Sequence, residues 1–239
     1  QIRQAMPLEG VSGAINKTVL KGLFPHPSRL NKLGGLMKLY QKSGIQKVAR
    51  KTGLLNILPS QLKDMEAILP EVGKPVLSTY PDVVPAQGER KGSVAFATGC
   101  VMDVMFSDVN EATIRVLTHN GYDVHLPKNQ RCCGALHIHA GDRDTGKALA
   151  KQNIEAFKDF DIVLVNAAGC GAALQEYDEL FRNDPEMLPL AKEFTKKVQD
   201  ISKFLYENDF KTARNLKLHG YIKIISSKKA VIVVSGKTK

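Results

Sequence analysis

Three short apolar segments, separated by stretches of helical periodicity, constrain the fold of this chain more than any other feature. They cover Ser93–Thr98, Tyr122–Leu126 and Asp161–Asn166, and each has the length of a buried β-strand. Helical patterns begin near Ser107 and extend over Asp142–Phe160 between them. Strands that alternate with helices predict an α/β fold with a parallel sheet, because crossover helices connect parallel strands.

The regions on either side of this pattern are predicted to be mainly helical. After the third strand, helices are predicted over Gly171–Phe181 and Leu190–Tyr206. Before the first strand, four short helical segments are predicted; they begin near Ile15, Ser28 (a candidate cap), Ile45 and Ser60. Their apolar stripes are interpreted as packing surface, and Pro or Gly ends each segment.

We therefore predict three regions along the chain. Residues 1–91 form a basic helical segment that ends in a Pro-rich linker from Glu71 to Lys91. Residues 92–206 form a cysteine-rich α/β domain with a parallel sheet. Residues 207–239 form a basic tail of uncertain structure.

The net charge of +10 is concentrated in the two ends of the chain. Residues 1–60 contain ten Lys and Arg against one acid, and residues 203–239 contain nine against two, whereas residues 91–170 contain eight against nine. No nucleic-acid motif accompanies this charge, so no nucleic-acid partner is predicted. The charge indicates solvated helix faces, or docking on an acidic partner or an anionic membrane surface. The sequence contains no apolar run of about 18 residues, the length that a membrane-spanning helix needs.

The four cysteines of the chain all follow the predicted strands. Cys100 follows the first strand, Cys132 and Cys133 follow the second, and Cys170 follows the third. The loops after the carboxyl ends of parallel strands converge at one edge of a sheet, so we expect the four thiols to meet there. Glycines flank the cysteines and would let the backbone approach a bulky inorganic group. The pattern predicts a metal or cluster site.

The residues alone leave the chemistry of this site open. Four thiolates suit tetrahedral zinc as well as an iron–sulfur cluster. The Cys-x-x-Cys spacing typical of zinc sites and of ferredoxins is absent. A third alternative is an enzyme in which Cys132 or Cys133 attacks and His137 acts as base. That alternative needs one uniquely activated cysteine, whereas four are predicted to converge. We expect His137 and His139 to be polar loop residues outside the ligand set. Asp103, Asp108, Arg131 and Arg143 are candidates for tuning a cluster.

The cysteine spacing resembles that of the CCG cysteine-rich domain. Thirty-one residues separate Cys100 from Cys132-Cys133-Gly134, and thirty-five more precede Cys170. The flanking sequences Gly99-Cys100-Val101-Met102, Cys132-Cys133-Gly134-Ala135-Leu136-His137 and Gly169-Cys170-Gly171-Ala172, with Glu176-Tyr177, resemble the iron–sulfur subunits of glycolate oxidases. The domain also occurs in a heterodisulfide reductase subunit and in lactate-utilisation iron–sulfur proteins.

This resemblance implies an electron-transfer subunit of a glycolate or other 2-hydroxy acid oxidase, with electrons supplied by an FAD-containing subunit. It implies Cys100, Cys132, Cys133 and Cys170 as ligands of a 4Fe-4S-type cluster, with no catalytic residue in this chain. We also expect a cytoplasmic location, with peripheral contact at the inner face of the membrane. A lactate-utilisation or heterodisulfide-reductase-like redox subunit and a zinc-binding scaffold remain the alternatives.

The sequence departs from the family pattern in three respects. Ferredoxin-type cysteines are absent, and Ala173 replaces the second cysteine of the fullest Cys-x-x-Cys form. A second CCG half is also absent; residues 221–239 predict either a hairpin around Ser227-Lys228 or a non-native end. We expect the chain to be a fragment of a longer protein, which also fits the lack of an initiator Met.

Overall fold

A computed structural model describes residues 19–57 and 59–208, and a five-stranded sheet forms its centre. The spatial order is β1-β3-β2-β4-β5, with β1 antiparallel to β3 and all other neighbours parallel. The strands are β1 (Val83–Val84), β2 (Gly92–Ala97), β3 (Tyr122–His125), β4 (Val163–Val165) and β5 (Val198–Asp200). The α/β fold is confirmed, and the three predicted strands are parallel neighbours.

Helices precede, connect and follow the strands. The N-terminal helices are α1 (Pro27–Lys42), α2 (Ile45–Lys51) and α3 (Ser60–Ala67), with a 3-10 turn at Leu54–Ile57. The remaining helices are α4 (Val76–Thr79), α5 (Cys100–Met105), α6 (Ser107–His119), α7 (Ala135–His139), α8 (Arg143–Ala156), α9 (Ala168–Gln175), α10 (Tyr177–Leu180), α11 (Met187–Lys197) and α12 (Ile201–Glu207). A helical segment therefore precedes the sheet, as predicted. None of the helices in the described residues is long and apolar enough to cross a membrane.

The sheet is covered on both faces, because alternate residues of its strands enter two different cores. Val94 and Phe96 of β2 pack in the core that contains Leu117 of α6. Ala95 and Ala97 pack in the opposite core, against Phe157 and Phe194 among others. This two-residue period is the geometry expected of a strand that is buried on both faces.

The C-terminal helices differ from the prediction. The single helix predicted over Leu190–Tyr206 is wrong, because β5 interrupts it and pairs with β4. The side chain of Asp200 then caps α12 by accepting a hydrogen bond from the Ser202 N–H at 2.8 Å. The predicted helix Gly171–Phe181 is likewise divided at Glu176 into α9 and α10.

Part of the segment predicted as a linker belongs to the sheet domain. Val76 is fully buried in the core, and β1 pairs with β3 at the sheet edge. The prediction of a linker throughout Glu71–Lys91 is therefore wrong for residues 76–84. The region limits themselves stay predictions, and the expected tail at 209–239 lies outside the described residues.

The apolar residues of the N-terminal helices are mostly exposed. Leu36 is 65% exposed and Ile57 is 80% exposed, whereas Leu30 is buried. Gly34 brings α1 close to α5, because a Cβ atom at this position would lie 2.5 Å from Val104 Cγ1. Ser28 is not the predicted cap, since α1 begins at Pro27. The predicted helix from Ile15 begins outside the described residues.

Candidate metal centre

The four cysteines lie beyond the carboxyl ends of three neighbouring parallel strands. Cys100 is the first residue of α5, directly after β2, and Cys170 lies in the first turn of α9, after β4. Cys132 and Cys133 lie in the loop between β3 and α7. The parallel topology thus places residues from distant parts of the sequence at one edge of the sheet.

The four thiols lie close enough to influence one another's ionisation. Cys132 neighbours Cys100 and Cys133, and Cys170 neighbours Cys133. A Cβ atom placed on Gly99 would lie 3.7 Å from Cys170 Sγ, so Cys170 also lies against the turn that carries Cys100. Cys132 and Cys133 are only 3% and 6% exposed. The structure therefore brings all four predicted residues together as free thiols.

Hydrogen bonding favours the thiolate form at two of these positions. Hydrogen bonding from Cys132 and Cys170 lowers the pKa of Cys133 below its usual value, and the N–H groups of Ala135 and Cys133 add to this effect. A hydrogen bond from Cys132 likewise lowers the pKa of Cys100. The donors Cys132 and Cys170 have a raised pKa for the same reason. Thiolate is the form of cysteine that ligates metal ions.

The arrangement of the sulfurs bears on which metal group fits. Within residues 19–57 and 59–208, no three His, Cys, Asp or Glu side chains are grouped as the ligands of one ion would be. A tetrahedral zinc ion needs all four sulfurs about 2.3 Å from one atom. The ligands of a multinuclear iron–sulfur cluster bind separate iron atoms, so they need not surround a single point.

Tyr177 and Asn153 hold the backbone of the double cysteine. Tyr177 Oη donates to the Cys133 carbonyl at 2.9 Å, and Asn153 Nδ2 donates to the Cys132 carbonyl at 3.1 Å and to Tyr177 Oη at 3.1 Å. Asn153 Oδ1 accepts from the Arg131 N–H at 2.8 Å. Burial raises the pKa of Tyr177 well above its usual value, so its hydroxyl remains a donor. The two side chains therefore fix the loop from which two thiols project.

Asn153 was not predicted, and Tyr177 was noted only within the family resemblance. The available signal for Asn153 was a polar residue among the apolar positions Leu149, Ala150 and Ile154 of one helix, all of which are buried. A buried side-chain amide requires hydrogen-bond partners. That requirement predicts a partner but does not identify the loop carbonyl that supplies it.

Two glycines allow this loop to lie directly on α8. Gly134 has a positive φ of 82°, and a Cβ atom there would lie 3.3 Å from the Gly146 Cα and carbonyl oxygen. At Gly146 a Cβ atom would lie 2.7 Å from Ile138 Cγ1. The close contact between the two backbones keeps α7 and the double cysteine against α8.

Asp103 fixes the helix that carries Cys100. Its buried carboxylate accepts hydrogen bonds from the Val76 N–H at 2.8 Å, the Leu77 N–H at 3.3 Å and Asn110 Nδ2 at 3.3 Å. Burial raises the pKa of Asp103. These contacts connect α4, α5 and α6 beneath the site, so Asp103 has a structural role whatever its influence on a bound group.

The prediction that His137 is a polar loop residue is wrong, because His137 lies within α7 and is fully buried. Its Nε2 lies 2.8 Å from the Leu20 carbonyl oxygen, while Nδ1 has no hydrogen-bond partner within the described residues. His139 is exposed. The contact of His137 with Leu20 ties the N-terminal segment to the helix that follows the double cysteine.

Comparison with known proteins identifies the class to which this fold and site belong. Residues 94–175 match the cysteine-rich domain family, and this range includes all four cysteines. Residues 11–69 match the linker region of the glycolate oxidase iron–sulfur subunit. Residues 94–175 therefore form a domain of the cysteine-rich domain family, and the chain is similar to glycolate oxidase iron–sulfur subunits.

Individual relatives agree with this assignment. The chain is 47% identical to a probable glycolate oxidase iron-sulfur subunit of Bacillus subtilis over 199 residues, which is 82% of this chain and 45% of the relative. It is 36% identical to a lactate utilization protein of Shouchella clausii over 113 residues, 47% of each chain.

A more distant relative is a subunit of the fumarate reductase (CoM/CoB) of Methanothermobacter marburgensis, with 29% identity over 58% of this chain and 29% of the relative. The chain spans less than half the length of these curated relatives. No solved structure matches it.

Proposed function

We propose that this chain is the iron–sulfur electron-transfer part of a glycolate or related 2-hydroxy acid oxidase. In this proposal Cys100, Cys132, Cys133 and Cys170 are the ligands of a 4Fe-4S-type cluster. The observation that carries the proposal is the convergence of four free, buried or partly buried thiols at the carboxyl edge of the sheet. The similarity to iron–sulfur subunits supports it.

The protein would prepare this site in two ways. When bound, an iron–sulfur cluster supplies a one-electron acceptor and donor. The N–H groups of Val101 and Ala135 help to lower the pKa of Cys100 and of Cys133 respectively, which stabilises negative charge on sulfur. Tyr177 and Asn153 keep the double-cysteine backbone in place. The cysteine ligands would therefore rearrange less when a bound cluster gains or loses an electron.

The colour and metal content of the purified chain test this proposal. Under anaerobic conditions, with iron and sulfide supplied, the chain is expected to turn brown and to absorb broadly near 400 nm. Iron and sulfide should reach about four atoms each per chain, as a 4Fe-4S cluster requires. A colourless chain that holds a single zinc ion under the same conditions would establish the zinc scaffold instead.

An FAD-containing subunit is the proposed electron donor. The isolated chain is expected not to oxidise glycolate with an artificial acceptor, because no residue here is assigned to substrate chemistry. Glycolate should bleach the absorbance near 400 nm only after a glycolate-oxidising flavoprotein is added. Turnover by the isolated chain would contradict this division of roles.

For the location we propose the cytoplasm, with peripheral contact at the inner face of the membrane. Basic residues such as Lys47 and Lys51 are exposed on α2 together with Val48, and Leu36 and Leu39 are exposed on α1. Basic charge next to apolar side chains favours anionic lipid surfaces. Co-sedimentation with phosphatidylglycerol vesicles but not with phosphatidylcholine vesicles is expected. Equally low recovery of the chain with both kinds of vesicle would exclude the membrane contact.

A further inference from the structure

Buried polar groups occupy the carboxyl edge of the sheet, at the strand ends that lead to the cysteines. β2 pairs with β3 as far as Ala95 and with β4 as far as Ala97, so Thr98 lies beyond both neighbouring strands. Thr98 is only 1% exposed, and its backbone N–H and carbonyl groups therefore need partners other than a strand or water. Side-chain amides from two other parts of the chain supply these partners.

Gln130 connects the loop of the double cysteine to the end of β2. Its Oε1 accepts from the Thr98 N–H at 2.9 Å and from the Thr98 hydroxyl at 3.2 Å. Its Nε2 donates to the Phe96 carbonyl at 3.2 Å. Gln130 is 5% exposed and stands two residues before Cys132. The amide therefore holds the start of the double-cysteine loop against the strand that leads to Cys100.

Asn110 connects the end of β2 to the end of β4. It lies on α6 and is fully buried. Its Nδ2 donates to the Thr98 carbonyl at 3.0 Å, and its Oδ1 accepts from Asn166 Nδ2 at 2.9 Å. Asn166 follows β4, stands four residues before Cys170 and also donates to Thr113 Oγ1 at 3.0 Å. The two amides therefore fix the strand end that leads to Cys170 relative to the end of β2.

These contacts form one continuous set of hydrogen bonds, which we name the strand-end brace; its members are Gln130, Thr98, Asn110 and Asn166. We propose that the strand-end brace sets the spacing of the three cysteine loops, with Gln130 and Asn166 as positioning residues for the metal ligands. Each loop is held two to four residues before its cysteine, so a broken link lets that thiol move relative to the others. The role toward an iron–sulfur cluster rests on the proposed function, whereas the spacing of the thiols does not.

Cadmium binding by the metal-free 239-residue chain tests the proposal, because Cd²⁺ is a soft ion that binds thiolates and needs no sulfide. Gln130→Met removes both ends of the amide at similar side-chain length. It should raise the Kd for Cd²⁺ at least about tenfold, since loss of a group that orients metal ligands costs about 10–100-fold in affinity. Asn166→Ala should act in the same direction, and its partly exposed position should tolerate the change better than fully buried Asn110.

Gln41→Met is the matched control. Gln41 also bonds through both ends of its amide, donating to the Pro70 carbonyl at 2.8 Å and accepting from the Val72 N–H at 2.9 Å, but these bonds join α1 to residues 70–72. Both Met variants should therefore lower Tm, whereas only Gln130→Met should weaken Cd²⁺ binding measured well below both Tm values. Equal weakening in Gln41→Met would overturn the proposal, because general loss of stability would then explain the effect.

Iron reconstitution of the parent separates this proposal from the proposed function. If the parent binds Cd²⁺ but takes up no iron, and both brace variants bind Cd²⁺ more weakly, the strand-end brace stands and the cluster assignment falls. If the parent takes up iron and the brace variants bind Cd²⁺ as tightly as the parent, the brace falls and the cluster assignment stands. A parent that binds no Cd²⁺ would also overturn the brace. With a cluster present, Gln130→Met should lose iron to a chelator faster than Gln41→Met.

Discussion

Replacing Cys133 with serine is expected to abolish iron incorporation by the chain. Cys133 is buried next to Cys132 and Cys170, which lower the pKa of its thiol below the usual value. A serine hydroxyl has a far higher pKa and is a poor iron ligand at neutral pH. Ala173 already stands where the fullest family pattern has a further cysteine, so no spare thiolate compensates. Anaerobic reconstitution followed by iron and sulfide analysis measures the effect.

The histidines after the double cysteine provide the controls for this experiment. His139 is exposed, so His139→Ala should leave iron content and stability unchanged. His137→Ala should also retain iron, although loss of a buried side chain in contact with the Leu20 carbonyl should lower the stability of the fold. Equal iron in Cys133→Ser and the parent would refute the ligand assignment. Loss of iron in folded His137→Ala would make that histidine a ligand.

The sequence was sufficient to predict the three central strands of the sheet, because the evidence for them is local. The segments that form β2 and β4 are short apolar runs between helical patterns, and parallel pairing follows from the crossover helices. In contrast, β5 contains only three residues, Val198–Asp200, and exists through its pairing with β4. A strand so short leaves the surrounding helical periodicity intact, so the pattern alone could not reveal it.

The cysteine site was predictable from topology, whereas the groups that support it were not. Each cysteine follows a strand, and parallel strands direct their following loops to one edge. The supporting contacts join residues far apart in sequence: Tyr177 reaches a carbonyl 44 positions away, and His137 one 117 positions away. No local pattern specifies such partners. A buried polar residue indicates only that a partner exists.

Replacing Tyr177 with phenylalanine is expected to destabilise the fold and to weaken cluster binding without abolishing it. The change removes one hydroxyl, which leaves the Cys133 carbonyl without its donor and Asn153 Nδ2 without one of its acceptors. An unsatisfied buried polar group costs about 1–3 kcal/mol of unfolding free energy. For a chain of this size, each kcal/mol lowers Tm by about 2–4 °C. Thermal unfolding of the metal-free chain measures this change.

The matched control is Tyr206→Phe, because Tyr206 is 81% exposed on α12 and should tolerate loss of its hydroxyl. A cluster in Tyr177→Phe should be lost faster on exposure to a chelator than in Tyr206→Phe, since the loop that carries Cys132 and Cys133 is then less firmly held. This readout separates support of the site from general stability when both variants are kept well below their Tm. The same Tm and the same rate of iron loss in the two variants would show that the Tyr177 hydroxyl does not hold the double cysteine.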